Sequence, residues 1–238
     1  MRMTVVGCAG SAPGPDSGAS SYLVDKDGFR LLLDLGAGSA GPLQRYATAE
    51  DIDAVILSHA HSDHWADVTQ LSYYRSKAVR EGSACGPLRI YGPSTMNEVL
   101  TSNPDDFTST FVQAGDLELG PLQVRLAQVR HGDLECWASR VDDVLCYTAD
   151  TEPCAALDEL ADGCGVLLAE ASGFDADGPL RGHLTAGDAG RLAARAGARL
   201  LVLTHLRAWQ DHLRLLDEAA QLAGCPVILA TPGLRVAL

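Results

Sequence analysis

Apolar positions along this chain fall into short runs separated by Gly, Pro, Ser and Asp, and the spacing of those runs changes part-way through. Thr4 to Gly7 reads as a strand, followed by a Gly/Pro/Ser-rich loop and a second strand at Ser21 to Val24. Lys26-Asp27-Gly28 is a turn signal, so Tyr22–Val24 and Arg30–Asp34 are expected to form a hairpin. A short helix near Pro42 to Tyr46 comes next, then the apolar strand Ala54-Val55-Ile56-Leu57 and a helical stretch from Ala66 to Arg80. In the middle, Leu88–Tyr91 reads as strand, Ser94–Leu100 as helix, and Leu117–Val129 as two short strands around Gly120-Pro121. Trp137–Val141 and Val144–Thr148 flank Asp142-Asp143 as a further hairpin. The last third alternates: helix Cys154–Ala161, strand Val166–Ala169, helix Thr185–Ala196, strand Leu200–Thr204, helix Asp211–Ala223 and strand Val227–Leu229. Strand runs first and strand–helix alternation later predict two sheets facing each other with helices outside. No linker or composition break divides the chain, so one domain over residues 1–238 is expected.

Composition narrows the function. The chain has 238 residues and is 47% hydrophobic, enough for one substantial core. Its net charge is −13, with Lys26 and Lys77 the only lysines and the arginines scattered. Such a surface repels the backbone of long nucleic acids, so a nucleotide substrate would have to be small. Nothing at the N-terminus reads as a signal peptide and no apolar run reaches membrane-span length, which points to a cytoplasmic protein without membrane partners. Seven dispersed cysteines without CxxC pairs fit reduced thiols. Cys8, Cys136 and Cys146 are expected to be small core residues.

The strand at Ala54–Leu57 runs directly into Ser58-His59-Ala60-His61-Ser62-Asp63-His64. Divalent metals of the zinc class take imidazole and carboxylate ligands, and gathering four such groups needs a tight loop at a rigid strand end. In an extended stretch alternate residues share a side, so His59 and His61 can hold one ion while Asp63 and His64 turn toward a second. A polar surface turn with accidental histidines is the competing reading. It fares poorly against four ligand-type residues in six positions directly after a buried-type strand.

His59-x-His61-x-Asp63-His64 resembles the signature of the metallo-β-lactamase superfamily. The remainder of that pattern is matched by His131 in Val129-Arg130-His131-Gly132, Asp150 in Tyr147-Thr148-Ala149-Asp150-Thr151, and His205 in Val202-Leu203-Thr204-His205. Ala149 departs from the glycine the family often has there. The resemblance implies an α/β fold, a four-layer αββα sandwich of two mixed β-sheets with helices on the outer faces. It also implies two divalent metal ions, Zn first and Mn also suited. His59, His61, His131 and Asp150 would hold one ion, and Asp63, His64, Asp150 and His205 the other. Asp150 would bridge them together with a hydroxide nucleophile.

Two further segments, Ala169-Glu170-Ala171-Ser172 and Gly182-His183-Leu184-Thr185-Ala186, are similar to the ribonuclease Z-like branch of that superfamily. There the implied catalytic residues are Asp63, Glu170 and His183, with Glu170 fixing the tautomer of His183. His183 would stabilise charge on the scissile phosphate or protonate the leaving oxygen. The bland alternative makes His183 a loop residue before an N-cap at Thr185 and leaves Glu170 at a strand end in solvent. The protruding arm with which ribonuclease Z grips transfer RNA is not visible in this sequence. A closer likeness is to mycobacterial-type atypical cyclic-nucleotide phosphodiesterases. It rests on Gly14-Pro15-Asp16-Ser17, Glu170-Ala171-Ser172, His183-Leu184-Thr185-Ala186-Gly187, and Leu203-Thr204-His205 followed by Trp209. This implies a 3′,5′-cyclic nucleotide, cAMP first, and admits a homodimer. A lactone, ester or thioester hydrolase in secondary metabolism stays open as the alternative. An iron-dependent redox enzyme fits less well because of His64, and a non-catalytic binding protein because the ligand set is complete. Ser11 to Ser21, Asp67, Tyr73, Tyr74, Arg75 and Trp209 are candidates for the rim of the site or for plain packing.

Overall fold

Asp27 and Gly28 both have positive φ, 53° and 87°, the conformation that matches a two-residue turn to the right-handed twist of its strands. They join β2 (Ser21–Lys26) to β3 (Phe29–Leu33), which pair antiparallel with Tyr22 opposite Leu33. The hairpin is thus as the turn signal predicts. The computed structural model describes residues 1–83, 86–96, 100, 107–111 and 115–238, with backbone alone for 107–111. The chain divides into two compact units, residues 1–112 with 231–237, and residues 113–230.

In the first unit a seven-stranded sheet is built around that hairpin. β1 (Arg2–Gly7) lies antiparallel to β2. β4 (Ala54–Ile56), β5 (Leu88–Gly92) and β6 (Phe107–Phe111) follow β3 as parallel neighbours. Helices α1 (Ala40–Leu43), α2 (Ser62–Trp65) and α3 (Val68–Arg80) accompany the sheet. Val6, Leu23, Leu32, Leu35, Val55, Leu57, Leu71 and Ile90 form the core, each such side chain contributing roughly 1.5–3 kcal/mol on burial. The helical stretch expected from Ala66 to Arg80 is present as α3, and the separate turn α2 precedes it. α2 starts inside the histidine motif at Ser62, with His61 extended (φ −74°, ψ 139°) as the N-cap residue. Of the helix expected at Ser94–Leu100, a 3-10 turn covers Ser94–Met96, and residues 97–99 lie outside the described residues.

The second unit carries the other seven-stranded sheet. β7 (Gly115–Leu119), β8 (Leu122–His131), β9 (Leu134–Val141) and β10 (Leu145–Tyr147) form an antiparallel meander. In β8 exposed residues such as Gln123 and Arg125 alternate with buried Leu122, Val124 and Leu126, the mark of a strand with one wet face. β11 (Val166–Glu170), β12 (Leu200–Thr204) and β13 (Val227–Leu229) continue from β10 in parallel. All of β11 is buried, as parallel strands covered on both faces require. Parallel pairing puts the carboxyl ends of neighbouring strands side by side, with Tyr147 opposite Leu168 and Glu170 opposite Thr204. Residues just beyond those ends, among them Asp150, Ser172 and His205, are therefore delivered to one edge of the sheet.

Two strands escape the sequence pattern. One is β6. The other is β14 (Arg235–Ala237), which pairs antiparallel with β1, Met3 opposite Val236. Cys8, Cys136 and Cys146 are buried as expected.

Candidate functional site

Each unit holds part of the predicted ligand set. In the first, β4 and the two residues after it deliver His59 in an extended chain, and α2 then reverses direction so that Asp63 and His64 sit on a helical turn. His59 and His64 are fully buried, Asp63 is buried and His61 is exposed. The ring nitrogens His59 Nε2 and His61 Nδ1 are 3.0 Å apart. Two lone pairs at that separation can both reach a cation at about 2.0–2.1 Å. Asp63 Oδ2 lies 3.6 Å from His64 Nε2 and accepts the backbone N–H of Ser11 at 2.8 Å. Ser11 takes φ 66° to make that contact.

These rings are oriented by Asp34, which the sequence reading passed over as a strand end. Asp34 is fully buried with φ 59°. Its Oδ1 accepts from the backbone N–H of Ser58 at 2.7 Å and its Oδ2 from the Ser58 hydroxyl at 2.9 Å. The same Oδ2 takes Nδ1–H of His64 at 2.8 Å. Because the Ser58 hydroxyl spends its one hydrogen on Asp34, its oxygen accepts Nδ1–H of His59 at 3.0 Å. Both imidazoles are thereby fixed with Nε2 as the lone-pair end, as metal-ligating histidines are.

In the second unit His131 ends β8, and its Nδ1–H donates to the carbonyl of Gly182 at 2.6 Å, again leaving Nε2 as the acceptor. Asp150 Oδ2 lies 3.3 Å from His205 Nε2, 3.7 Å from His183 Nδ1 and 4.0 Å from His131 Nε2. Asp150, Glu170, His183 and His205 can all offer one ligand-type atom within 4.8 Å of one another. His205 directly follows β12 and takes φ 53°, a left-handed conformation that ends the extended chain there. The donor chemistry suits a divalent cation: neutral imidazoles with Nε2 lone pairs gathered around a buried carboxylate.

Glu170, at the end of β11, is fully buried, which removes the solvent alternative for it. Its Oε1 accepts the backbone N–H of Thr151 at 2.6 Å, and its Oε2 accepts the Ser172 hydroxyl at 2.6 Å and Nδ1–H of His183 at 2.9 Å. The Ser172 oxygen in turn accepts Nδ1–H of His205 at 3.0 Å. His183 keeps 17% of its side chain exposed. Burial alone would push its pKa down, but the Glu170 hydrogen bond and the charges of Glu170 and Asp150 outweigh it, against opposition from Arg207, and hold it above 6.5. His183 does precede an N-cap: Thr185 and Asp188 form a reciprocal capping box on the helix Ala186–Ala196. The cap anchors the loop, and the ring still faces Glu170.

Gly182, which the sequence shows only as the start of the His183 segment, and Glu152, which it does not single out, also shape this part of the site. Gly182 has φ 80° and a Cβ there would stand 3.0 Å from His131 Nδ1, so only glycine fits without strain. Its N–H donates to Glu152 Oε1 at 2.8 Å. Among the remaining candidates, Asp67 Oδ2 accepts the backbone N–H of Ala40 at 2.7 Å and so anchors the start of α1. Arg75 is buried and donates to the carbonyls of Ala49, Ile52 and Gly86, a structural role. Tyr73, Tyr74 and Trp209 are exposed.

Residues 29–206 match the model of the beta-lactamase superfamily domain. An uncharacterized protein of Mycobacterium leprae is 37% identical over 92% of this chain and 82% of its own length. The "Probable metallo-hydrolase YhfI" of Bacillus subtilis is 32% identical over 98% of both chains. The crystal structure of that metallo-β-lactamase fold protein superposes with a TM-score of 0.93 at 30% identity, covering 99% of this chain and 98% of its own. A ribonuclease Z of Myxococcus xanthus is 26% identical over all of this chain and 98% of its own.

Proposed function

The chain belongs to the β-lactamase superfamily, as a metallo-hydrolase with ribonuclease Z-like relatives, and from that premise we propose that it hydrolyses a small phosphodiester. The observation that carries the reading is the His183–Glu170 pair: a half-buried imidazole held by a buried carboxylate at 2.9 Å, beside Asp150. A histidine kept protonatable next to the candidate ligands suits the charge and the leaving oxygen of phosphoryl transfer. The family resemblance suggests that residues 1–238 act as one catalytic domain. On that pattern His59, His61, His131 and Asp150 hold one divalent ion, and Asp63, His64, Asp150 and His205 the other, zinc first and manganese second. Such a pair of ions supplies a hydroxide nucleophile at neutral pH and neutralises charge on the scissile group. The chain's own residues do the rest. Asp34 and Ser58 hold His64 and His59 in one tautomer, Ser172 does so for His205, and Glu170 keeps the Nδ1 proton on His183 so that Nε2–H can be given up.

The substrate class follows from charge. A chain at −13 is poorly suited to a long polyanion, so the reading favours a 3′,5′-cyclic nucleotide, with cAMP the first to assay, in the cytoplasm. Lactone or ester hydrolysis is the second reading, because the same donor set would activate water against a carbonyl. The deciding assay compares bis-p-nitrophenyl phosphate with a p-nitrophenyl ester and a lactone, using wild type and His183→Ala. Diester turnover that falls on the order of 100-fold or more in the variant, with metal content retained, is the expected outcome. Acyl turnover indifferent to His183, without diester cleavage, would overturn the phosphodiesterase reading.

A further inference from the structure

The loop that carries His183 meets solvent on one side. There Gly178, Pro179 and Leu180 border a cleft of about 500 Å³ together with Glu152, Asp175 and Thr185. Arg181 pairs with Asp133 at 2.8 Å, but both side chains are exposed, at 78% and 93%, and such a pair contributes little. Placement of the His183 ring therefore leans on the peptide just before it. Gly182 is buried. Its N–H donates to Glu152 Oε1 at 2.8 Å, and its carbonyl accepts Nδ1–H of His131 at 2.6 Å.

Glu152 is itself firmly placed. Its backbone N–H donates to the carbonyl of Arg130 at 2.6 Å, in an isolated antiparallel bridge one residue before His131. The Thr151 hydroxyl donates to the Glu152 carbonyl at 2.8 Å and accepts the N–H of Arg130 at 3.2 Å, while the Thr151 N–H goes to Glu170 Oε1 at 2.6 Å. Glu152 Oε2 pairs with Arg130 Nη2 at 3.2 Å, on an arginine side chain that is 69% exposed. A carboxylate outside the proposed ligand set is thus tied to the strand end of His131, to the turn after Asp150 and to the loop of His183. A peptide whose N–H is taken by a carboxylate is also a better acceptor at its carbonyl. The bond from His131 Nδ1–H to that carbonyl in turn makes Nε2 a better donor to a cation.

We propose that Glu152 is a positioning residue that holds the Gly182 peptide and, through its two ends, sets the rings of His131 and His183. Its effect on His183 rests on the phosphodiesterase reading, whereas its effect on His131 rests only on that ring being a metal ligand. The bond to Gly182 needs reach and an acceptor oxygen. Glutamine keeps both without the charge, aspartate keeps the charge but is one methylene short, and alanine keeps neither.

The test compares full-length wild type, Glu152→Gln, Glu152→Asp and Glu152→Ala, with Arg130→Gln as the control for the surface pair. Three quantities are read: exchange of the Gly182 amide hydrogen in the metal-free protein by NMR, metal affinity by chelator competition, and kcat and KM for bis-p-nitrophenyl phosphate at saturating metal. In Glu152→Ala and Glu152→Asp the amide is expected to exchange faster and metal affinity to fall by about 10- to 100-fold, with kcat down on the order of 10-fold and KM little changed. Glu152→Gln and Arg130→Gln stay close to wild type in all three. The reverse order, Glu152→Asp intact and Glu152→Gln impaired, would mean that charge matters and reach does not, and overturns the proposal. A merely structural role, seen as a lowered melting temperature in Glu152→Ala with wild-type metal affinity and kcat, overturns it too. If the alanine variant does not fold, the contrast between Glu152→Gln and Glu152→Asp decides. Wild type that cleaves no diester overturns the phosphodiesterase reading, and amide exchange and metal affinity then decide the Glu152 assignment by themselves.

Discussion

The two units solve one problem with the same set of groups. In the first, Asp34 Oδ2 receives the Ser58 hydroxyl and Nδ1–H of His64, and the Ser58 oxygen receives Nδ1–H of His59. In the second, Glu170 Oε2 receives the Ser172 hydroxyl and Nδ1–H of His183, and the Ser172 oxygen receives Nδ1–H of His205. Each carboxylate spends its other oxygen on a backbone N–H, that of Ser58 or Thr151. The difference lies in what the second histidine does. His64 is fully buried, whereas His183 keeps part of its ring exposed. On the proposed assignment, the same carboxylate–serine–imidazole arrangement would lock a ligand in one unit and present a proton donor in the other. What separates the two roles is access, set by a helical turn around His64 and a loop held by Gly182 around His183.

The comparison breaks most visibly at the residue that has no counterpart in the first unit. Asp150→Ala removes the only carboxylate proposed to serve both ions. The expected result is loss of bound metal at both positions and turnover below detection. Asp63→Ala, which removes a carboxylate proposed to serve one ion alone, should leave the other ion bound. Metal analysis of the purified variants checks this, and a fully loaded Asp150→Ala protein would sink the ligand assignment.

Removing the two serine hydroxyls tests whether the arrangements are equivalent. Ser58→Ala and Ser172→Ala each leave a histidine Nδ1–H without its acceptor and a carboxylate without one donor. Weakening of metal binding by about 10- to 100-fold is expected in both, measured by chelator competition. Only Ser172→Ala should also depress turnover at saturating metal, because its Glu170 carries His183. Equal loss of turnover in the two variants would show that Ser172 does no more than orient His205.

The serines also mark where the sequence stops being legible. His59, His61, Asp63 and His64 announce themselves because one strand end and one helical turn place all four, so ligand density is visible in a window of six residues. His131, Asp150 and His205 are individually ordinary, and only the resemblance to a family pattern singled them out. Parallel register brings Asp150, Glu170 and His205 together, and register leaves no local trace. Asp34 was missed because its signal is a left-handed backbone at the end of an apolar run, which composition cannot show. The strand Arg235–Ala237 was missed for a related reason: three residues find their partner across nearly the whole chain, at β1. The turn Ser62–Trp65 ahead of the expected Ala66–Arg80 helix was hidden as well, since helix propensity says little about four residues inside a histidine-rich loop.

The smallest effect expected is a shift in a pH profile, and it separates the paired carboxylates most cleanly. Burial pushes the His183 pKa down, and the hydrogen bond and charge of Glu170, with that of Asp150, bring it above its ordinary 6.5. A raised pKa keeps imidazolium populated to higher pH. If protonated His183 is the active form, kcat is level at low pH and falls as pH rises through that pKa. Glu170→Gln removes the negative charge, so the falling limb must move to lower pH. Asp34→Asn makes the equivalent change in the first unit, and asparagine tolerates the positive φ found there. That variant should weaken metal binding and leave the limb where it is. At saturating metal, bound cations would repel the His183 proton in all three proteins alike, so the difference between profiles isolates Glu170. A limb that stays put in Glu170→Gln would mean that His183 does not titrate in the rate-determining step and that its partner serves only to hold the ring.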